Sequence, residues 1–347
     1  MSKLALHMQS LTPWAEWVVN TYWKKPRWLK VMIYGINNPN LSKFTGTNLI
    51  ARGWTHGGDT NEWERACVAK GTSGGREYFD FMRPVYEAYR NIVAFWEFIN
   101  EPPLSNIIEA YAYRDALIEW NRLMHLNGFK TCGGSIGVGN PKLLFYDGDN
   151  QVLRIIGPAL ALCNLWSYHA YFKRPYTPND LWWAHRYRLI IAELAVVGIK
   201  LPDCVITEGG ADIGGGHNDG WYGQYNGDWG AFFADLKSCA IELEKDSYVL
   251  AYIIFTSGPN DDWDWFDINE QHAKEVGAWN TPVAPPHLGL PEDETTKDPA
   301  TMAEKIRWWS EESQREFENE NYLRANDIRI SNIQLCYRLE NILKGGG

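Results

Sequence analysis

Two glutamates stand where an apolar run of this sequence breaks off. Glu101 follows the mostly apolar stretch VAFWEFIN in VAFWEFINEPP (93–103), where an Asn–Glu pair is exposed and two prolines end the run. Glu208 ends a second run in VITEGG (205–210), just before two glycines. Between them, SYHAYFK (167–173) carries His169 and Tyr171 two residues apart, hence on one face of a strand. Two carboxyl groups on one rim can divide the work of cleaving a glycosidic bond. One gives a proton to the leaving oxygen while the other attacks or stabilises the anomeric carbon. Mutual repulsion and partial burial separate their pKa values, so that one stays an acid near neutral pH. An imidazole and a phenol between them hold the nucleophile and tune the acid. The plainer alternatives are a turn residue for Glu101, a strand-end ion pair for Glu208, and a satisfied polar side chain for His169.

Such an arrangement needs a scaffold that brings distant strand ends together, since 107 residues separate the two glutamates. Short apolar runs predict strands over 3–8, 29–34, 48–53, 92–99, 129–135, 164–171, 203–208 and 248–256. Helical patterns fill most intervals. One covers 105–127 with a stripe of Ile108, Tyr111, Ala112, Leu117 and Trp120. Another covers 228–245 with Trp229, Phe232, Phe233, Leu236 and Leu243. The second-to-third connection is too short for more than a turn. Eight strands alternating with helices predict an α/β fold, a closed (β/α)8 TIM barrel, in which the C-terminal strand ends carry the site. An open doubly wound sheet is the rival, but its glycine-rich turn is missing after the first strand, which leads into QSLTPW (9–14). The run GGSIGVGNP (133–141) lacks a phosphate-binding lysine or serine in register, so no nucleotide cofactor is expected.

Other residues at the expected rim are His7 at the first strand's end, Arg52 at the third, and Trp54 and His56 in WTHGGD (54–59). The exit of the eighth strand, TSGPNDDWDWFD (256–267), offers Trp263 and Trp265. The loop GGGHNDGWYGQYNGDWG (214–230) offers Trp221 as a cleft-wall aromatic or, alternatively, a surface loop residue. The chain holds 18 tryptophans; most suit core filling, and the remainder suit stacking on pyranose rings. No His/Cys cluster has zinc spacing, the acidic run NDDWDWFDINE lacks the pattern of a calcium loop, and no Gly-x-Ser-x-Gly elbow occurs. Neither metal nor cofactor is expected. A net charge of −10 with scattered basic residues speaks against nucleic acid. The sequence has no signal-like segment and no 18-residue apolar span. It reads as a chain without membrane contact, cytoplasmic or released without a classical signal. The six cysteines form no CxxC pair and read as buried free thiols.

Residues 1–320 read as one catalytic domain and 321–347 as a C-terminal helical extension, reached through the proline-rich, acidic stretch 280–300. In the extension Ile328, Asn332, Leu335, Leu339 and Ile342 recur at 4-3-4-3 spacing. This is either a face packed on the barrel or a seam for weak self-association.

FINEP, YHAY and ITEGG, in that order on the fourth, sixth and seventh strands, resemble the clan of retaining β-glycosidases with cellulase-, mannanase- and β-galactosidase-type barrels. The resemblance implies Glu101 as acid/base, Glu208 as nucleophile, Asn100 as partner of the sugar 2-hydroxyl, and His169 with Tyr171 as the strand-six pair. The abundant aromatics and long loops favour an oligo- or polysaccharide over a simple disaccharide as substrate. Two positions depart from the clan. The expected second strand has no arginine to support the nucleophile, and Phe255-Thr256-Ser257 stands where a tryptophan floors the sugar subsite. A carbohydrate-binding barrel without hydrolysis, an assembly protein built on the terminal helix, and the hydrolytic core of a larger phage or cell-wall-active protein are the alternatives.

Overall fold

The computed structural model describes residues 3–279, apart from 24–26, 35–40, 45, 54–59, 179, 215–218 and 260. Eight parallel strands close into a barrel in sequence order, β1 (Leu4–Met8), β2 (Arg27–Ile33), β3 (Thr47–Gly53), β4 (Phe95–Glu97), β5 (Thr131–Ile136), β6 (Leu165–Phe172), β7 (Cys204–Ala211) and β8 (Val249–Ser257). Closure comes from β1 against β8, where Leu6 lies opposite Ile254. All eight expected strands are present. The TIM barrel follows from the sequence pattern: parallel strands buried on both faces read as near-continuous apolar runs, and each crossover must carry enough chain to return.

The described helices are α1 (Ala15–Tyr22), α2 (Thr60–Ala69), α3 (Thr72–Ala88), α4 (Ile107–Leu126), α5 (Leu144–Asp147), α6 (Gln151–Leu160), α7 (Arg186–Val196), α8 (Trp221–Gln224), α9 (Trp229–Leu243) and α10 (Glu270–Ala278). Between β2 and β3 the described residues hold a single 3-10 turn, Leu41–Lys43. Among the described residues no helix is long and apolar enough to cross a membrane. The chain divides into two compact units, 1–190 with 199–284 and 191–198 with 285–347; everything below concerns the first. The expected boundary at 320/321 and the C-terminal helix lie outside the described residues.

Two local expectations shift. The fourth strand pairs over only three residues, Phe95–Glu97, instead of 92–99. Phe98 and Ile99 remain buried but leave the ladder, so Asn100 and Glu101 sit on a connection beyond the strand. The stripe of α4 is also rotated. Ala110, Tyr113, Leu117, Trp120 and Met124 are buried, whereas Ile108 and Tyr111 face solvent. The buried set keeps the 3-4-3-4 rhythm but puts small alanines where the helix meets its neighbours. α4 starts firmly: the Asn106 side chain accepts from the Ile108 and Glu109 backbones at 3.0 Å, and the Ser105 amide donates to Glu109 Oε2 at 2.7 Å. That cap fixes the far end of the loop carrying Glu101.

Trp96, Trp120 and Trp166 are buried in the core. Truncating any of them would cost about 3–5 kcal/mol. The five described cysteines are buried and free.

Candidate active site

The site begins below the rim, with two charged residues inside apolar strands. Lys30 of β2 and Glu97 of β4 are both buried, and Lys30 Nζ lies 2.9 Å from Glu97 Oε2. The same Nζ lies 2.9 Å from Glu208 Oε1, so one ammonium bridges two carboxylates in the barrel interior. Glu97 Oε1 also accepts from Ser135 Oγ at 2.8 Å. Burial by itself would raise the Glu97 carboxyl, but the charge and hydrogen bond of Lys30, with His169 and Ser135, outweigh it and set it below its ordinary value. Burial likewise works against the Lys30 ammonium, and the two carboxylates reverse this and raise it.

Glu208 is aimed by an irregularity in its strand. Tyr168 lies opposite Ile206 and His169 opposite Glu208, so β7 slips one residue at Thr207. A bulge of this kind re-aims the side chain beside it. The Glu208 side chain is 11% exposed, and both oxygens are engaged. Oε1 meets Lys30, and Oε2 accepts from Tyr171 Oη at 3.1 Å. Burial opposes its ionisation, yet His169 and Lys30 hold the carboxyl far below the usual carboxylate range. Burial and the neighbouring Glu208 charge push the Tyr171 phenol well above its ordinary value, so it stays a donor.

Glu101 is held differently. Its side chain is 50% exposed, and its backbone has φ 39°, a left-handed conformation unusual for a residue with a Cβ. The strain is held by neighbours: the Glu101 amide donates to Ser135 O at 2.9 Å and the Asn100 amide to Glu64 Oε2 at 3.2 Å. Glu64, on α2, is itself fixed by Arg52 Nη2 at 2.7 Å. The two prolines that follow have no N–H to continue a ladder, so the chain leaves the barrel there.

One ring nitrogen joins the two glutamates. His169 Nδ1 lies 3.0 Å from Glu101 Oε1 and 3.5 Å from Glu208 Oε2. Those two oxygens are therefore separated by no more than the two distances laid end to end, about 6.5 Å. His169 Nε2 is buried without a protein partner among the described residues.

A chamber of 160 Å³ opens above this group, lined by His7, Arg52, Asn100, Glu101, Tyr171 and Glu208, with Phe255, Trp263 and Phe266 as its apolar wall. His7 stacks on Phe255 with centroids 5.1 Å apart. Burial, with Lys30 nearby, holds its imidazole well below the ordinary value, hence neutral. Neither His7 nitrogen nor Asn100 Oδ1 has a partner among the described residues. The loop after β8 folds back through a helical turn, Asp261–Phe266, which brings Trp263 edge-on to Phe255 at 5.4 Å. Trp265 packs behind it against the Tyr171–Phe255–Phe266 cluster and meets Tyr222 edge-on, off the chamber wall. Trp221 does not reach this chamber. It is buried, stacked on Phe232 at 5.4 Å with its indole N–H on Asp267 O. Its loop folds into core because Tyr225 and Trp229 find polar anchors in Asp235 and Glu275. Trp54 and His56 lie outside the described residues.

The sequence reading missed Lys30 and Glu97. It also placed no arginine on the second strand, whereas β2 starts at Arg27. That guanidinium donates to Val19 O at 3.3 Å, and the cation at the carboxylates is Lys30. Arg52 supports the Asn100 segment through Glu64 and does not serve as the cation on Glu208.

No protein-family model matches the chain, and no curated protein matches it in sequence. Solved structures do match in shape. A family 39 glycoside hydrolase from Bacteroides cellulosilyticus WH2 aligns with TM-score 0.50 and 11% identity over 80% of this chain and 63% of its own. This chain thus spans less than two thirds of that structure's length. A family 1 β-glucosidase from Thermotoga maritima aligns with TM-score 0.46 and 12% identity, over 76% of this chain and 83% of its own. A GH5-4 broad-specificity endoglucanase from an uncultured bacterium aligns with TM-score 0.44 and 11% identity, over 72% and 79%. The chain has the closed (β/α)8 barrel fold of the glycoside hydrolases.

Proposed function

We propose that this chain hydrolyses β-glycosidic bonds with retention, Glu208 acting as nucleophile and Glu101 as acid/base. The observation that carries the reading is the single imidazole nitrogen within 3.5 Å of both carboxyl groups. It caps the separation of those two oxygens at about 6.5 Å, the lower edge of the range in which an inverting enzyme seats a water between its carboxyl groups. Exposure supports the division of labour. Glu208 is buried, doubly hydrogen-bonded and kept ionised, as a nucleophile must be, whereas Glu101 reaches the open cleft where a leaving group departs.

In the first half-reaction a Glu208 oxygen bonds to the anomeric carbon as the bond to the leaving oxygen breaks. Glu101, in its acid form, gives that oxygen its proton. In the second, Glu101 takes a proton from water, whose oxygen bonds to the anomeric carbon and releases the Glu208 carboxylate. Tyr171 and Lys30 orient Glu208 throughout. Neutral His7 and Asn100 Oδ1 are polar groups for sugar hydroxyls, and Phe255 with Trp263 gives the ring an apolar wall.

The test uses aryl β-glycosides of glucose, galactose, mannose and xylose. Proton NMR of the first-formed sugar is expected to show the β-anomer. The matching 2-deoxy-2-fluoro glycosides are expected to leave a covalent mass on the peptide containing Glu208. A first-formed α-anomer, labelling elsewhere, or no hydrolysis of any of them would overturn the reading.

A second expectation arises at Gly137. A Cβ there would fall 2.9 Å from Glu101 Oε1 and 3.0 Å from its carboxyl carbon, too close for the carboxyl to stay in place. Gly137→Ala is expected to lower kcat/KM for poor leaving groups, by less than the ~100-fold that a misplacement of about 1 Å costs, because the carboxyl need move only a few tenths of an ångström. The loss should shrink for 2,4-dinitrophenyl glycosides, which depart without protonation. Equal losses across leaving groups would show that Glu101 was not what the methyl group displaced.

A further inference from the structure

A second chamber adjoins the first. It measures 660 Å³ against 160 Å³, and Glu101, Tyr171 and Asp212 line both. Glu208 lines only the smaller one. Given the proposed roles, on which this inference rests, that asymmetry orients the substrate. The nucleophile must touch the anomeric carbon, so the sugar to be transferred occupies the small chamber. The acid must touch the leaving oxygen, so the bond to be cut crosses the shared boundary at Glu101. The large chamber then receives the leaving group.

Size separates the two ends of the substrate. The small chamber has about a quarter of the large one's volume, so it is the end suited to a single sugar ring and the large chamber the end suited to several. The wall of the large chamber includes an aromatic surface the mechanism does not use. Trp182 is half-buried, and the Arg186 guanidinium stands 4.3 Å from its ring centroid, with Tyr146 edge-on at 4.9 Å. Arg186 is fully buried and held by Pro141 O at 2.9 Å, so the indole is braced from within the protein. The backbone amides of Trp182 and Trp183 both donate to Asp180 Oδ1 at 3.2 Å, which fixes the turn carrying them. A braced, partly exposed indole in the wall of the large chamber is a platform for the apolar face of a sugar ring.

We infer that the chain acts from the chain end on β-linked oligosaccharides: one terminal sugar enters the small chamber, and two or more further residues lie in the large chamber over Trp182. The products are the monosaccharide and an oligosaccharide one unit shorter.

The experiment follows β-1,4-linked tetrasaccharides of glucose, mannose, galactose and xylose, each reduced at one end, by chromatography at early times. Monosaccharide with the reduced trisaccharide is the expected first product pair. Disaccharides as first products, or action confined to simple monoglycosides, would overturn the inference while leaving a glycosidase in place. No turnover of tetrasaccharides, aryl glycosides or glycosyl fluorides would overturn the hydrolase reading and this inference with it. Trp182→Ala and the more conservative Trp182→Phe are then compared on the tetrasaccharide and on the β-glycosyl fluoride, whose leaving group is a single atom. Trp182→Ala is expected to lose at least tenfold more kcat/KM on the tetrasaccharide than on the fluoride, and Trp182→Phe to recover part of the difference. Equal losses on both substrates, in either variant, would remove Trp182 from the leaving-group site.

Discussion

Glu208→Gly is expected to lower kcat on an activated aryl β-glycoside by at least about 10⁴-fold, and added azide to restore turnover with an α-glycosyl azide as product. The magnitude follows from removing the group proposed to form the covalent bond, with binding and the remaining polar contacts left intact. The chemistry of rescue discriminates between roles. Azide in the space vacated by Glu208 attacks the face that the carboxylate attacked, so it gives the inverted product. With Glu101→Gly the glycosyl-enzyme still forms from a good leaving group, and azide then attacks from the opposite side to give the β-azide. Opposite azide anomers from the two variants would fix both assignments at once. A Glu208→Gly protein that keeps kcat within threefold of the parent would sink the nucleophile assignment, provided its near-UV circular dichroism matches. The two glutamates should respond unequally because their surroundings differ. Glu208 is fixed by Lys30, Tyr171 and the slipped register of β7, while Glu101 rests on one imidazole and a strained backbone.

The barrel and the rim residues were legible in the sequence for one reason: strand exits in a parallel barrel converge on one face, so the order of apolar runs also orders the rim. Glu101, His169, Tyr171 and Glu208 could be placed together on that logic. Its failures share a cause, which is that periodicity reports burial and not depth. Phe98 and Ile99 are buried yet unpaired, so the fourth strand looked longer than its ladder. Trp221 sits in an aromatic, glycine-rich loop that reads as cleft wall or as surface loop, and its contacts with Phe232 and Asp267 make it neither. Lys30 and Glu97 carried a usable signal that went unread. Each is a charge inside an otherwise apolar run, LKVMI and AFWEFI. Buried charges persist only when paired, so two of opposite sign on alternate barrel strands, which fill the same layers of the interior, point to each other. Nothing local to either run names Glu208 as the third member, because that meeting depends on the register of β7.

Lys30→Met is expected to lower stability as much as truncating a core tryptophan, and it tests whether this ammonium sets the charge of the nucleophile. Methionine keeps the length and bulk of the side chain but leaves Glu97 and Glu208 buried without their shared cation. Breaking a buried pair in this way costs about 3–5 kcal/mol. At about 2–4 °C per kcal/mol for a domain of this size, the loss is a fall of roughly 10 °C in Tm. Sign and pH window follow from the directions of the shifts. Glu97 and Glu208 are both held below the ordinary 4.5 in the folded chain, so their contribution is present above that value and lost as pH falls through the lowered folded one. Without Lys30 both carboxyls rise, with His169 still holding Glu208 down, so the variant should lose stability at a higher pH than the parent. The acid limb of kcat/KM, which reports the free enzyme's Glu208, should move upward with it. Adding Glu97→Gln to Lys30→Met removes one of the two stranded charges, and it is expected to return part of the lost stability without returning the acid limb. That split separates a structural ion pair from one that tunes the nucleophile. A single variant with unchanged Tm and an unmoved limb would mean that water or rearrangement compensates both carboxylates, and the buried lysine would lose its assigned part in the chemistry.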